Sequence, residues 1–259
     1  MNQAKVIDIR GRKLGGETPL TCSPLVGRTR ERLLAETANV AAKKPDVIEW
    51  RVDYFEGIAD AKSVSDTGVA MRNTVGDTPL IFTRRSVKEG GERIAIGDEE
   101  VVRLYDAVAA TSLVDFIDFE MGNDPEHVRR VREGTRKHGT RLILSYHNFG
   151  YTPGLEFMVQ RFLEAERLGA DVAKVAVMPR IRADVLALLA ATAEADDKAR
   201  IPLISMSMGP LGSVTRMVGG VFGSSLSFAV GEGSSAPGQI PIADLNAVYD
   251  VIRRARGAR

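Results

Sequence analysis

Asp171-Val172-Ala173-Lys174-Val175-Ala176-Val177-Met178-Pro179 reads as a buried parallel strand with one lysine in its middle. A short apolar run closed by proline is the pattern of a strand covered on both faces. Leu168-Gly169-Ala170, just ahead of it, supplies the glycine stop at which a preceding helix ends. An ammonium in such a run must be paired, solvated or functional. Most lysines near strand ends snorkel to water. The alternative is an amine whose pKa, ordinarily ~10.4, falls with burial, freeing it to attack a ketone and form a Schiff base.

The same rhythm repeats outward from this strand in both directions. Strand-like segments begin near Thr21, Val47, Leu80, Phe116, Arg141, Val172, Leu203 and Ser227. Between them the pattern predicts helices over 29–43, 60–73, 98–111, 124–138, 155–168, 181–195, 211–222 and 242–255. Leu33, Leu34, Thr37, Val40 and Ala41 share one helical face, as do Ile242, Leu245, Val248, Tyr249 and Ile252. Thr152-Pro153 reads as an N-cap followed by proline at the start of the fifth helix. Strand and helix pairs in this number, in 259 residues, fit an α/β fold: a single (β/α)8 TIM barrel, whose usual length is about 250 residues. A doubly wound open sheet is the alternative, but no strand is followed by G-x-G-x-x-G or a P-loop. Ahead of the barrel, Val6, Ile7 and Ile9 alternate with charged residues before Gly11, Gly15 and Gly16. This predicts a short N-terminal hairpin or plug within an extension over residues 1–19. No repeat or low-complexity linker divides the chain, so one domain over residues 1–259 is expected.

Composition narrows the function. Lys and Arg total 35 against 34 Asp and Glu, a net charge of +1, so nothing favours nucleic acid or an anionic membrane as partner. Cys22 is the only cysteine, which excludes an internal disulfide and a cysteine-rich metal site and suits a reducing cytoplasm. The opening MNQAKVIDIRGRK alternates polar with apolar residues, unlike a signal-peptide core, and no apolar run reaches membrane-spanning length. A cytoplasmic location is therefore expected.

In a barrel, alternate strand residues point inward and the chemistry gathers at the carboxyl ends of the strands, so the position of each charge carries information. In VIEWRVD, Glu49, Arg51 and Asp53 share one face, opposite Trp50 and Val52. Ionic residues on an inner face either pair among themselves or bind something polar. Thr83 and Arg85 alternate at the next strand end, followed by a loop with Glu89, Gly90, Gly91 and Glu92. Asp118 and Glu120 in FIDFE again point one way, as partners for inward arginines. His147 closes the strand in RLILSYHNF, where a general acid and base would sit, whereas His127 and His138 fall on a helix expected outside. Met206 and Met208 share a face in LISMSMG, as pocket wall or as core. Gly219, Gly220 and Gly223 precede the eighth strand, a weak likeness to a barrel phosphate site. GEGSSAPGQIP, residues 231–241, has the composition of a mobile lid.

Taken in order, Glu49-Trp50-Arg51-Val52-Asp53, the segment from Arg85 to Glu92, His147, Lys174 in KVAVMP, SMSMG and SAPGQI resemble type I 3-dehydroquinate dehydratase. The resemblance runs from about Leu20 to Val251. It implies that Lys174 is the Schiff-base lysine, His147 the general acid and base, and Glu89 the carboxylate that orients the histidine. It implies that Glu49, Arg51 and Arg85 hold the substrate's ring hydroxyls, that Arg216, Ser235 and Gln239 grip its carboxylate and close over it, and that Met206 belongs to the substrate pocket. The implied reaction is a syn elimination of water from 3-dehydroquinate to 3-dehydroshikimate with no metal or organic cofactor, in a protein family whose members are often homodimers.

The chain departs from the family pattern at two places. Asn148 follows His147 where aspartate is common, and losing that charge would lower the histidine pKa if the side chains are close. A first-strand serine used by some members aligns with Pro24, with Ser23 one place off. The nearest rival reading is a class I aldolase, which uses the same kind of lysine but needs a sugar-phosphate site. A non-catalytic barrel that binds a small acid is the reading from a different class.

Overall fold

In the computed structural model, which describes residues 5–257, the strands are β1 (Ile7–Ile9), β2 (Arg12–Leu14), β3 (Leu20–Leu25), β4 (Val47–Arg51), β5 (Leu80–Thr83), β6 (Phe116–Glu120), β7 (Arg141–Asn148), β8 (Val172–Val177), β9 (Leu203–Ser207), β10 (Leu226–Val230) and β11 (Ile240–Pro241). The helices are α1 (Arg30–Ala41), α2 (Ala61–Val75), α3 (Asp98–Ala109), α4 (Pro125–His138), α5 (Leu155–Arg167), α6 (Arg182–Lys198), α7 (Gly209–Gly212), α8 (Val214–Val218) and α9 (Ile242–Ala255). Residues 1–4 and 258–259, the ends of the span expected to form one domain, lie outside the described residues.

One parallel sheet runs β11, β10, β3, β4, β5, β6, β7, β8, β9. It curls until β9 meets the residues just before β10, where Leu203 bridges Ser224 and the Ser225 amide donates to the Leu203 carbonyl at 2.7 Å. Strands β3 to β10 with their outer helices therefore make the expected (β/α)8 barrel, α7 and α8 sharing the seventh helical place. Each of the eight barrel strands begins within one residue of its expected start, β3 at Leu20 instead of Thr21 and β10 at Leu226 instead of Ser227, whereas β11 lies in the segment expected to be a lid.

Strand alternation sorts the side chains into two cores. Ile48, Trp50, Phe82, Ile117, Phe119, Leu142, Leu144 and Val175 pack outward with Leu33, Met71, Tyr105, Val128, Phe162 and Leu188 of the helices. Val47, Ile81, Phe116, Ile143, Val172, Ile204 and Leu226 pack inside the barrel. β1 and β2 pair antiparallel around Arg10 and Gly11, whose positive φ values of 48° and 77° suit a two-residue hairpin turn. Ile9 and Leu14 of this hairpin meet Leu20, Val47, Ile81 and Phe116, so the expected plug seals the amino-terminal end of the barrel. The ionic residues are left to the opposite end.

Two local expectations change. The helix expected over 211–222 is broken into α7, α8 and a 3-10 turn over Gly219–Phe222. Its glycines weaken helix propagation, and Gly212 lies so close to β9 that a Cβ would stand 2.4 Å from the Ser207 carbonyl oxygen. Thr152-Pro153 does not cap α5: Gly154 takes the N-cap place, and the Thr152 hydroxyl donates to the Met178 carbonyl at 3.1 Å, tying the loop to the end of β8. Among the described residues no helix is long and apolar enough to cross a membrane.

Candidate active site

Lys174 points inward from the middle of β8 and is 3% exposed, so it does not snorkel to water. Its ammonium donates to Asp118 Oδ2 at 2.8 Å, lies 3.9 Å from Glu49 Oε1, and faces the Phe228 ring with its nitrogen 4.4 Å from the centroid. Burial alone would push the Asp118 carboxyl up, but the Arg85 guanidinium and the Lys174 ammonium beside it hold it well below the usual carboxylate range. Asp118 is thus a fixed anion under the amine.

Arg85 organises the other flank. Its guanidinium donates to Asp118 Oδ1 at 2.8 Å, to Ser145 Oγ at 2.9 Å and to Glu120 Oε1 at 3.2 Å, and stands 3.7 Å from Glu89 Oε2. Burial disfavours its charge, yet these carboxylates outweigh burial and raise its pKa further. The inward acids Asp118 and Glu120 are therefore paired with an inward arginine, as their alternation implied. Thr83 Oγ1 donates to Glu49 Oε1 at 2.8 Å and fixes that carboxylate in turn.

His147 ends β7 with Nδ1 2.8 Å from Glu89 Oε2, and the same oxygen accepts the His147 backbone amide at 3.0 Å. An oxygen already accepting one N–H is best matched by a second, which assigns the hydrogen to Nδ1 and leaves the Nε2 lone pair free. Burial pushes the Glu89 carboxyl up to about 8, against the pull of Arg85. Burial likewise pushes the imidazole well below 6.5, with Arg85 and Lys174 adding to the effect. Asn148 plays no part in this: its Oδ1 accepts the Gly150 and Tyr151 amides at 2.9 and 3.0 Å, and its Nδ2 donates to the Tyr146 hydroxyl.

Arg51 binds Asp53 through Nε and NH2, both at 2.8 Å, with its guanidinium carbon 5.0 Å from the centroid of the Tyr54 ring. Asp53 does not continue the strand face. It lies in a 3-10 turn over Val52–Tyr54 and folds back onto Arg51.

A small cavity at the carboxyl end of the barrel is lined by Glu49, Arg51, Arg85, Glu89, His147, Lys174, Met206, Ser235 and Gln239, together with Phe149, Met208 and Phe228. Of the ten residues that the resemblance assigns to catalysis or substrate binding, only Arg216 is not on its wall. Arg216 lies directly behind, 1% exposed on α8, with NH1 3.2 Å from the Phe228 carbonyl and 3.6 Å from Met206 Sδ, and NH2 3.4 Å from the Pro237 carbonyl. Those acceptors are neutral, Nε has no partner among the described residues, and burial pulls its pKa down to about 10.

The segment 231–241 is moored as well as glycine-rich. Glu232 accepts from Arg32 and Asn39, the Gly231 carbonyl accepts from Lys43, and the Gly209 amide donates to the Pro237 carbonyl at 3.0 Å. Gln239 Nε2 donates to Ser235 Oγ at 3.3 Å, so the two residues expected to close the site meet directly.

Three groups of residues named in the sequence lie away from the cavity, the two histidines of α4 as expected. Gly219, Gly220 and Gly223 lie before β10 at the amino end of the barrel, against Ser224, Pro19 and Asp196, far from a phosphate site at the strand ends. Ser23 is buried beside Gly231 and Val40, on the outward face of β3, while Pro24 pairs with Glu49. His127 and His138, on α4, stand beside Glu99 and Asp106, outside the cavity. Conversely, Asp118 was legible as inward but not as the partner of Lys174, and nothing in LSFAV marks Phe228 as its neighbour.

A family model described as type I 3-dehydroquinase matches residues 21–256. The 3-dehydroquinate dehydratase of Albidiferax ferrireducens is 54% identical over 258 residues, 99% of this chain and 98% of that one. That of Geobacillus thermodenitrificans is 49% identical over 96% of both. Among solved structures, the 3-dehydroquinate dehydratase of Geobacillus kaustophilus superposes with a TM-score of 0.96 at 43% identity, covering 98% of this chain and 99% of that one. The type I enzyme of Clostridium difficile, solved with covalently modified comenic acid, gives 0.94 at 36% identity, covering 98% and 100%.

Proposed function

The chain belongs to the type I 3-dehydroquinase family of hydro-lyases, and from that premise we propose that it eliminates water from 3-dehydroquinate through an imine on Lys174. One observation carries the reading: a buried amine and a neutral imidazole with a free Nε2 share one small cavity. His147 Nε2 takes a proton from the Lys174 ammonium, the amine adds to the C3 ketone, and the imidazolium returns that proton to the carbinolamine hydroxyl, which leaves as water and gives an iminium. The iminium draws electrons from C2, so His147 Nε2 takes the adjacent proton and an enamine forms. The imidazolium then returns that proton to the C1 hydroxyl as the C–O bond breaks and water departs. Hydrolysis of the conjugated imine releases 3-dehydroshikimate and restores Lys174. Protons and electron pairs balance over Lys174, His147 and water, so the reading needs neither metal nor organic cofactor. One imidazole serving both proton steps acts from one face, which makes the elimination syn.

In this reading Glu89 orients the imidazole, and Glu49, Arg51 and Arg85 meet the ring hydroxyls. Met206 forms the wall, and Arg216, Ser235 and Gln239 take the carboxylate. A buried guanidinium whose acceptors are all neutral supports that use of Arg216. The reading also carries a cytoplasmic homodimer, which light scattering checks for assembly and fractionation for location. Borohydride reduction in the presence of 3-dehydroquinate, read by intact-protein mass, tests the chemistry. Lys174→Ala should show neither turnover nor adduct. His147→Ala should lose about 10² to 10⁴ in rate yet still trap substrate. An adduct on Lys174→Ala, or full turnover by His147→Ala, means the roles are wrong. Trapping with sugar phosphates instead would favour an aldolase.

A further inference from the structure

We propose that Asp53 is a positioning residue, one buried carboxylate that fixes both the Arg51 guanidinium and the chain segment carrying Glu89. The proposal rests on the dehydratase reading above. The Asp53 side chain is fully buried and does not line the cavity. Its Oδ1 accepts from Arg51 Nε at 2.8 Å and from the Arg85 amide at 3.2 Å. Its Oδ2 accepts from Arg51 NH2 at 2.8 Å and from the Glu92 amide at 3.1 Å. Each oxygen therefore holds one guanidinium nitrogen and one backbone amide.

The fork leaves NH1 as the Arg51 nitrogen not bound to Asp53. Arg51 lines the cavity, and NH1 with the second hydrogen of NH2 remain to donate to a ligand there. A guanidinium on a flexible stem, released from the fork, would have to be ordered each time substrate bound. The two amides add a second effect, because they bracket residues 85–92. That segment turns tightly: a Cβ on Gly91 would come within 1.9 Å of the Arg85 carbonyl oxygen. Between the two bracketed ends sits Glu89, which sets the imidazole through Nδ1. Asp53 thus ties the contact with a substrate hydroxyl to the orientation of the proton-transfer base, while touching neither.

Steady-state turnover of 3-dehydroquinate by wild type, Asp53→Asn, Arg51→Ala and the double variant tests this. Asp53→Asn keeps the shape, loses the charge and turns an NH2 toward groups that already donate. KM should rise about tenfold, equivalent to ~1.4 kcal/mol, with a smaller fall in kcat. In the Arg51→Ala background the same substitution should leave KM nearly unmoved. The acid limb of the kcat profile should also shift, through Glu89, which a simple loss of packing would not produce. Asp53→Glu keeps the charge and should recover part of KM; it carries the test where circular dichroism shows Asp53→Asn unfolded. Kinetic constants within about twofold of wild type in a folded variant, or a KM effect that persists in full without Arg51, overturn the positioning role alone. A wild type inert toward 3-dehydroquinate overturns the functional reading and this role with it.

Discussion

Asp118 sits between two buried cations, so it governs both stability and the state of the amine. Removing one partner of a buried pair leaves the others uncompensated, at a cost of about 3–5 kcal/mol. Asp118→Asn should therefore unfold at distinctly lower urea; a midpoint like that of wild type would mean Lys174 and Arg85 are held by other groups. Arg216→Ala should act on binding instead. A charge-assisted bidentate contact contributes about 1.5–3 kcal/mol, so KM should rise about 10- to 100-fold, and an unchanged KM counts against the carboxylate role. The paired shifts of His147 and Glu89 make opposite demands on pH. The imidazole is depressed from 6.5, so its contribution to stability is intact above 6.5 and fades as pH falls toward its folded value. The Glu89 carboxyl is raised from 4.5 to about 8, so its contribution is present below 4.5 and lost as pH rises through 8. Denaturant midpoints for wild type and Glu89→Gln should diverge in that sense between 4.5 and 8, and parallel curves would refute it. At this scale the sequence shows which charges point inward, because alternation alone decides that. It does not show who pairs with whom: Lys174 finds Asp118 across strands far apart in the chain, and Asp53 turns back onto Arg51 because the strand gives way to a 3-10 turn.

Elements were legible where hydrophobic period and length agreed, and illegible where glycine had a tertiary reason to be present. Strand β8 and the helices on either side of it fall where the pattern put them, but Gly212 exists to let α7 approach β9, and no local period encodes that. Tyr105 is similar. It reads as one more apolar residue of α3, yet its hydroxyl accepts the Arg84 amide at 2.8 Å and donates to the Asp118 carbonyl at 2.9 Å, joining the ends of β5 and β6 beneath the site. Tyr105→Phe should cost about 1–3 kcal/mol because a buried amide and carbonyl lose their partner, and equal thermal stability would show that other groups satisfy them. The loop over the cavity depends on Gly238, at φ 78°, where a Cβ would meet the Gly209 carbonyl oxygen at 2.3 Å. Gly238→Ala should lift the loop, raise KM several-fold and lower stability by about 1–3 kcal/mol through the strained φ; kinetics and a melting temperature both like wild type would show that the loop tolerates the Cβ. Hydrogen exchange over 231–241 should meanwhile slow when product is added to the wild type; equal exchange in both states would leave the segment without a closing role.

At the scale of the whole molecule, the hairpin seals one end of the barrel with apolar side chains and the charges collect at the other. The closure itself is uneven. Neighbouring barrel strands are joined by continuous ladders, but β9 and β10 meet at the single bridge between Leu203 and Ser224. That gap in the ladder implies an order of assembly. Ladders between strands consecutive in the chain close short loops and form early, whereas the first barrel strand pairs with the last only after nearly the whole chain has been gathered. With only that sparse join to β9 to hold it beforehand, β10 takes its place last, when it pairs with β3. During refolding, pulse-labelled amides of β10 should gain protection after those of β6 to β8, so a nascent chain would hold Lys174 and His147 in register before the Phe228 carbonyl was there to anchor Arg216 behind them.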